Sequence, residues 1–91
     1  MDLDAYQIRT WEAGDPMTSA QRQELCAWIW RHGFNAERQV YRVDQLALDT
    51  AAIRVWLLAL DESGKPYLSE AGDDVERLPP MVVAMRCEPP W

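Results

Sequence analysis

The titratable residues of this chain could serve a nucleophilic dyad, a zinc site, a carboxylate pair or a calcium loop, and their spacing tests each of these. In a dyad, the imidazole of His32 would take the thiol proton of Cys26 from a shared face. At i and i+6 on one helix, however, the two lie about 240° apart. Zinc could recruit Cys26, His32 and Cys87, but no CxxC or HxxxH spacing supplies a fourth protein ligand, so a carboxylate would have to join. Asp73 and Asp74 are adjacent, yet proton transfer needs a carboxyl in a cleft with its affinity moved by burial, and these two sit in the polar stretch "EAGDD". "DESGKPYLSE" offers Asp61, Ser63 and Gly64 without the D-x-[DN]-x-[DN]-G register of a calcium loop. Walker, GxGxxG and GxSxG motifs are missing as well. The expectation is a protein that is not an enzyme, with no cofactor and no metal.

Such residues need a scaffold, and 91 positions allow one small domain spanning residues 1–91. A chain of this size buries about 60 to 65% of the surface its unfolded form exposes, so its stability margin is thin. With 48% hydrophobic residues and five Trp, it still has enough apolar area to offset the entropy of ordering. The net charge of −6 and the lack of a basic run exclude direct nucleic-acid binding. Residues 61 to 77 carry Asp61, Glu62, Glu70, Asp73, Asp74 and Glu76 against Lys65 and Arg77, which concentrates the acidity in one loop region. No signal-peptide pattern opens the chain and no apolar run approaches the roughly 20 residues that span a bilayer. A cytoplasmic location with no membrane partner is expected, and in that setting Cys26 and Cys87 stay reduced.

The most legible element starts at "MTSAQ". Thr18 as N-cap and Gln21 three residues on form a capping box, in which each side chain satisfies an orphan amide of the first turn. A helix over 19–32 follows, closed by Gly33 in a left-handed position, with His32 as a cation at the negative end of the dipole and Phe34 folding back on Ile29. Upstream, Leu3, Ala5, Tyr6, Ile8 and Trp11 fit a short helix over 4–12, stopped by Gly14 and Asp15-Pro16. Downstream, "RQVYRVDQLAL" (38–48) and "AIRVWLLAL" (52–60) read as strands joined at "DTA", a turn at Ser63-Gly64 opens a second hairpin, and "MVVAMRC" (81–87) lies between two Pro-Pro pairs as the last strand. The fold class is α+β: one or two N-terminal helices packed on a small antiparallel sheet of about four strands.

Alternation places Ile53, Val55, Leu57 and Ala59 on one face of the second run, and Arg54, Trp56, Leu58 and Leu60 on the other. Both faces read as largely apolar, so the side away from the helix needs a cover from the chain's own termini, a second copy or another protein. The helix poses the same problem. With Leu25 at 0°, Ile29 falls at about 40° and Trp28 at about 300°, whereas Cys26 and Trp30 fall at about 100° and about 140°. The sheet is expected to cover Leu25, Trp28 and Ile29, and the segment around Tyr6, Ile8 and Trp11 to cover Cys26 and Trp30. Each indole, if buried, contributes up to about 4 to 6 kcal/mol. Aromatic side chains bury area at little entropic cost, which makes Trp30, Trp56, Tyr41, Tyr67 and Trp91 the candidates for contacting a partner.

The phrases "WEAGDPMTSAQRQELCAWIWRHG", "LDESGKPYL" and "EPPW" resemble small uncharacterised proteins of actinobacteria and their bacteriophages. That resemblance implies an accessory protein acting inside a bacterial host and carries no functional residue with it. The reading that follows is a protein-interaction module, with a homodimer or a host protein as partner. The alternative is an acidic nucleic-acid mimic in which Asp73, Asp74 and Glu76 enter the basic groove of a DNA-binding protein.

Overall fold

A computed structural model describes residues 2–36, 38–65 and 76–90. The chain opens with a 3-10 helix at Leu3–Tyr6, followed by β1 (Gln7–Glu12), α1 (Ser19–Arg31), β2 (Val40–Ala47), β3 (Ala51–Leu57) and β4 (Met81–Ala84). The four strands form one antiparallel sheet in the order β1-β2-β3-β4. This is α+β architecture, with a single α-helix among the described residues. Among the described residues, no helix is long and apolar enough to cross a membrane.

α1 begins where its capping box dictates. Thr18 Oγ1 accepts from the Gln21 amide at 3.1 Å and Gln21 Oε1 accepts from the Thr18 amide at 2.9 Å. At the other end Gly33 takes φ +88°, a conformation open to glycine without strain, and its amide donates to the Trp30 carbonyl at 2.9 Å. Phe34 then turns back onto the core.

The expected helix over 4–12 does not form. After one 3-10 turn, capped by Asp2 through the Asp4 amide, the chain extends and pairs with β2, Trp11 opposite Val43 and Thr10 opposite Asp44. A bulge between Gln7 and Arg9 breaks the alternation and leaves Ile8 62% exposed. The apolar spacing from Leu3 to Trp11 had mimicked a helical stripe because a 3-10 turn and a bulged strand share it. Of the second expected hairpin, residues 61–65 form a turn in which Asp61 Oδ1 accepts from the Ser63 and Lys65 amides at 2.9 and 3.0 Å, with Gly64 at φ +81°. The strand expected after it lies outside the described residues.

α1 packs on one face of the sheet. Leu25, Trp28 and Ile29 join Trp11, Val43, Ile53, Val55 and Leu57 in a continuous core, with Val83, Met85 and Cys87 against its border. Trp28 is buried as expected and packs against Trp11 with ring centroids 5.3 Å apart and planes tilted by 54°. Trp11 therefore lies beneath the helix and not over its outer side. It does not cover Trp30, which stays 51% exposed, whereas Cys26 is partly buried and lines a small cavity together with Trp11.

Candidate functional site

The sheet face turned away from α1 holds a buried ionic cluster in place of the apolar surface expected there. Period-two alternation sends Arg42, Asp44 and Leu46 of β2 to this face, and the hairpin register sets Asp44 opposite Arg54 and Arg42 opposite Trp56. Asp44 is completely buried. Its Oδ1 accepts from Thr10 Oγ1 at 2.7 Å and Arg42 Nε at 2.9 Å, while its Oδ2 accepts from Arg54 Nε at 2.8 Å and Trp56 Nε1 at 2.7 Å.

Burial pushes the Asp44 carboxyl upward. The bonds from Trp56, Thr10, Arg54 and Arg42 together outweigh it and hold the group below the ordinary carboxylate range. Burial likewise works against the charge on Arg54, but Asp4 and Asp44 more than compensate and raise its proton affinity. Arg54 Nη2 donates to Asp4 Oδ1 at 2.6 Å and to Gln7 Oε1 at 3.3 Å, and Gln7 Nε2 donates to Thr10 Oγ1 at 2.6 Å. The bonds close a ring, Arg54 to Gln7 to Thr10 to Asp44 and back to Arg54. The Arg42 and Arg54 guanidiniums lie 5.3 and 5.1 Å from the centre of the Trp56 ring, within cation–π range.

With donors on both oxygens, Asp44 has no lone-pair direction left for a substrate proton. The cluster clamps β1, β2, β3 and the N-terminal turn together. It also bears on what covers the second face: the 3-10 turn packs on β2, where Leu46 is buried, and the ion pairs with the Thr10 bond join β1, β2 and β3.

Three other places present surface. On the outer side of α1, Ser19, Arg22, Gln23, Cys26, Ala27 and Trp30 line an open cleft of about 540 Å³. At the end of the sheet, Tyr6, Leu48, Ala52, Val82 and Ala84 contribute to a second cleft of about 510 Å³, together with the β2-β3 turn. Beside it runs the outer edge of β4, unpaired among the described residues, with Met81 49% and Val82 44% exposed. The Met85 amide donates to the Ala51 carbonyl at 3.0 Å, and the alternation of an antiparallel ladder then turns the backbone groups of Val82 and Ala84 outward.

The residues singled out from sequence are scattered over these features. Trp30 is on the helix's outer side, Trp56 in the ionic cluster, and half-buried Tyr41 under the Arg77 guanidinium at 5.5 Å. Glu76 is exposed, while Tyr67, Asp73, Asp74 and Trp91 lie outside the described residues. His32 sits at the C-terminal end of α1 as expected, and there it is buried, with both ring nitrogens in hydrogen bonds. Among the described residues no group of three or more His, Cys, Asp and Glu side chains could hold a metal ion. Asp44 was missed, although opposite charges at facing positions of the 38–60 hairpin were there to be matched. Against protein-family models, curated proteins and solved structures alike, the chain has no match.

Proposed function

We propose that this chain is a non-enzymatic protein-interaction module whose working surface is the edge of β4 left open among the described residues and the apolar cleft beside it. The observation that carries this reading is the contrast between the two edges of the sheet. Natural proteins guard edge strands with bulges, charges or proline inside the strand. β1 has its bulge and Arg9. β4 is regular and uncharged, Met-Val-Val-Ala, with its proline pairs only outside it. An unguarded edge with exposed apolar side chains suits the addition of an extended strand, whose backbone would bond to Val82 and Ala84 and whose side chains would enter the cleft by Tyr6. The partner is a second copy of the chain or a host protein.

The experiment compares wild type with Val82→Lys, which adds a charge at a side chain already half exposed, and with Trp30→Ala as a control on the other surface. Sedimentation over a wide concentration range and affinity capture from a bacterial lysate should show self-association or a captured protein that Val82→Lys loses and Trp30→Ala keeps. A monomer at every concentration, together with identical captured sets for wild type and Val82→Lys, removes the reading.

A further inference from the structure

The chain after β4 returns to α1 and is held there by backbone-directed bonds. The Trp28 indole N–H donates to the Cys87 carbonyl at 3.1 Å, the Arg86 amide donates to His32 Nε2 at 2.9 Å, and Arg86 Nη1 approaches the Arg31 carbonyl at 3.5 Å. Met85 and Cys87 lie against the core border. His32 is the pivot of this arrangement and is 5% exposed. Its Nδ1 is 2.8 Å from the Trp28 carbonyl, which can only accept, so Nδ1 carries a proton. Its Nε2 receives the Arg86 N–H and so carries none. Both bonds together require the neutral ring.

We propose that residues 85–88 form a pH-sensitive strap that is latched only by the neutral imidazole of His32, and that charging this ring releases the strap and uncovers Trp28. A proton on Nε2 faces the Arg86 N–H donor to donor, leaving both donors without an acceptor at a part-buried contact. The charged groups on the elements packed here are mostly cationic. α1 contributes Arg31, the strap Arg86 and Glu88, and the helix-facing side of the sheet Arg9, whose guanidinium lies 4.7 Å from the Trp11 ring that packs against Trp28. The other titratable group here is the Cys87 thiol. Glu88 is exposed, and no carboxylate makes an ion pair with His32 among the described residues. Trp28, 1% exposed and packed edge-on against the ring at 4.9 Å, loses its acceptor at Cys87 when the strap leaves. Because the strap continues β4, its release also frees the Met85 end of that strand. This device stands independently of any partner.

The test is amide exchange by NMR on the full chain from about pH 8 to about pH 5, where an imidazole changes charge. After correction for intrinsic exchange, protection of the Arg86 amide and the Trp28 indole should fall together by roughly ten- to a hundredfold on acidification, with the Val43 and Val55 amides unchanged. His32→Gln offers a side-chain oxygen to the Arg86 amide without a titrating proton, so its strap should stay protected at both ends of the range. Flat wild-type protection overturns the proposal, as does a wild-type-like fall in His32→Gln. If that variant does not fold, the imidazole nitrogen shifts of wild type decide: Nε2 must gain its proton in step with the loss at Arg86, and a loss without that step overturns it.

Discussion

The two faces of this four-stranded sheet are held by opposite physics. On the helix side, Trp11, Trp28, Ile29, Val43, Ile53, Val55 and Leu57 exclude water and gain by area, a contact that tolerates small shifts of position. On the far side, one carboxylate takes four donors from three strands, and every bond has a direction. The apolar face stabilises in proportion to what it covers. The ionic face adds little net stability over a well-packed apolar substitute, but it penalises any register other than Asp44 opposite Arg54 and Thr10, since a shift strands a buried charge.

The largest losses should come from removing the centre of either face. Trp28→Ala should cost about 3 to 5 kcal/mol in chemical denaturation, through cavity formation and loss of the bond to Cys87. Asp44→Ala should cost about 3 to 5 kcal/mol as well, for the different reason that Arg54 is left buried with Asp4 as its one remaining ion-pair partner among the described residues. The double variant Asp44→Val/Arg54→Met separates the two causes, recovering all but about 2 kcal/mol if the penalty lies in the stranded charge and not in the lost pair. Full additivity of the two single losses would break the comparison.

Acid distinguishes the faces next. Because the Asp44 carboxyl is lowered from 3.8 on folding, its contribution is complete above that value and drains away as pH falls through the lower folded one. Asp44→Asn should flatten this acid limb of the stability curve, and an unchanged limb would assign it to other carboxylates. The smallest effect belongs to the surface that neither face uses: Trp30→Ala should change stability by no more than about 0.5 kcal/mol.

How much of this was legible in the sequence followed how local the deciding interactions were. α1 was readable to within a residue because Thr18, Gln21 and Gly33 specify its ends from inside the segment. β2 and β3 were readable from β-rich composition and a short turn. β1 was not, because its extended form depends on pairing with residues thirty or more positions away, and Ile8 sits at a bulge that scrambles the alternation. The second face of β3 was read as apolar because Arg54 and Trp56 were judged on their own strand, with Leu58 and Leu60 counted although β3 ends at Leu57. Alternation applied to β2 as well puts Asp44 and Arg42 on that same face, and the charge balance becomes visible. The burial of His32 depends on Arg86, 54 positions downstream, and nothing near His32 announces it.

The hydrogen bonds that close this molecule span long stretches of chain: 34 residues from Thr10 to Asp44, 50 from Asp4 to Arg54 and 59 from Trp28 to Cys87. Separations of this kind slow folding, because loop entropy is lost before the contacts that reward it can form. They also impose an order on a chain emerging from a ribosome. The β2-β3 hairpin and α1 can assemble from local sequence, but β1 waits for β2 and the Trp28 indole waits for Cys87, 59 positions downstream. Until Cys87 arrives, a large aromatic side chain is left without its hydrogen-bond partner, so the stretch of synthesis between Trp28 and Cys87 is when this protein is most exposed to aggregation or to a chaperone.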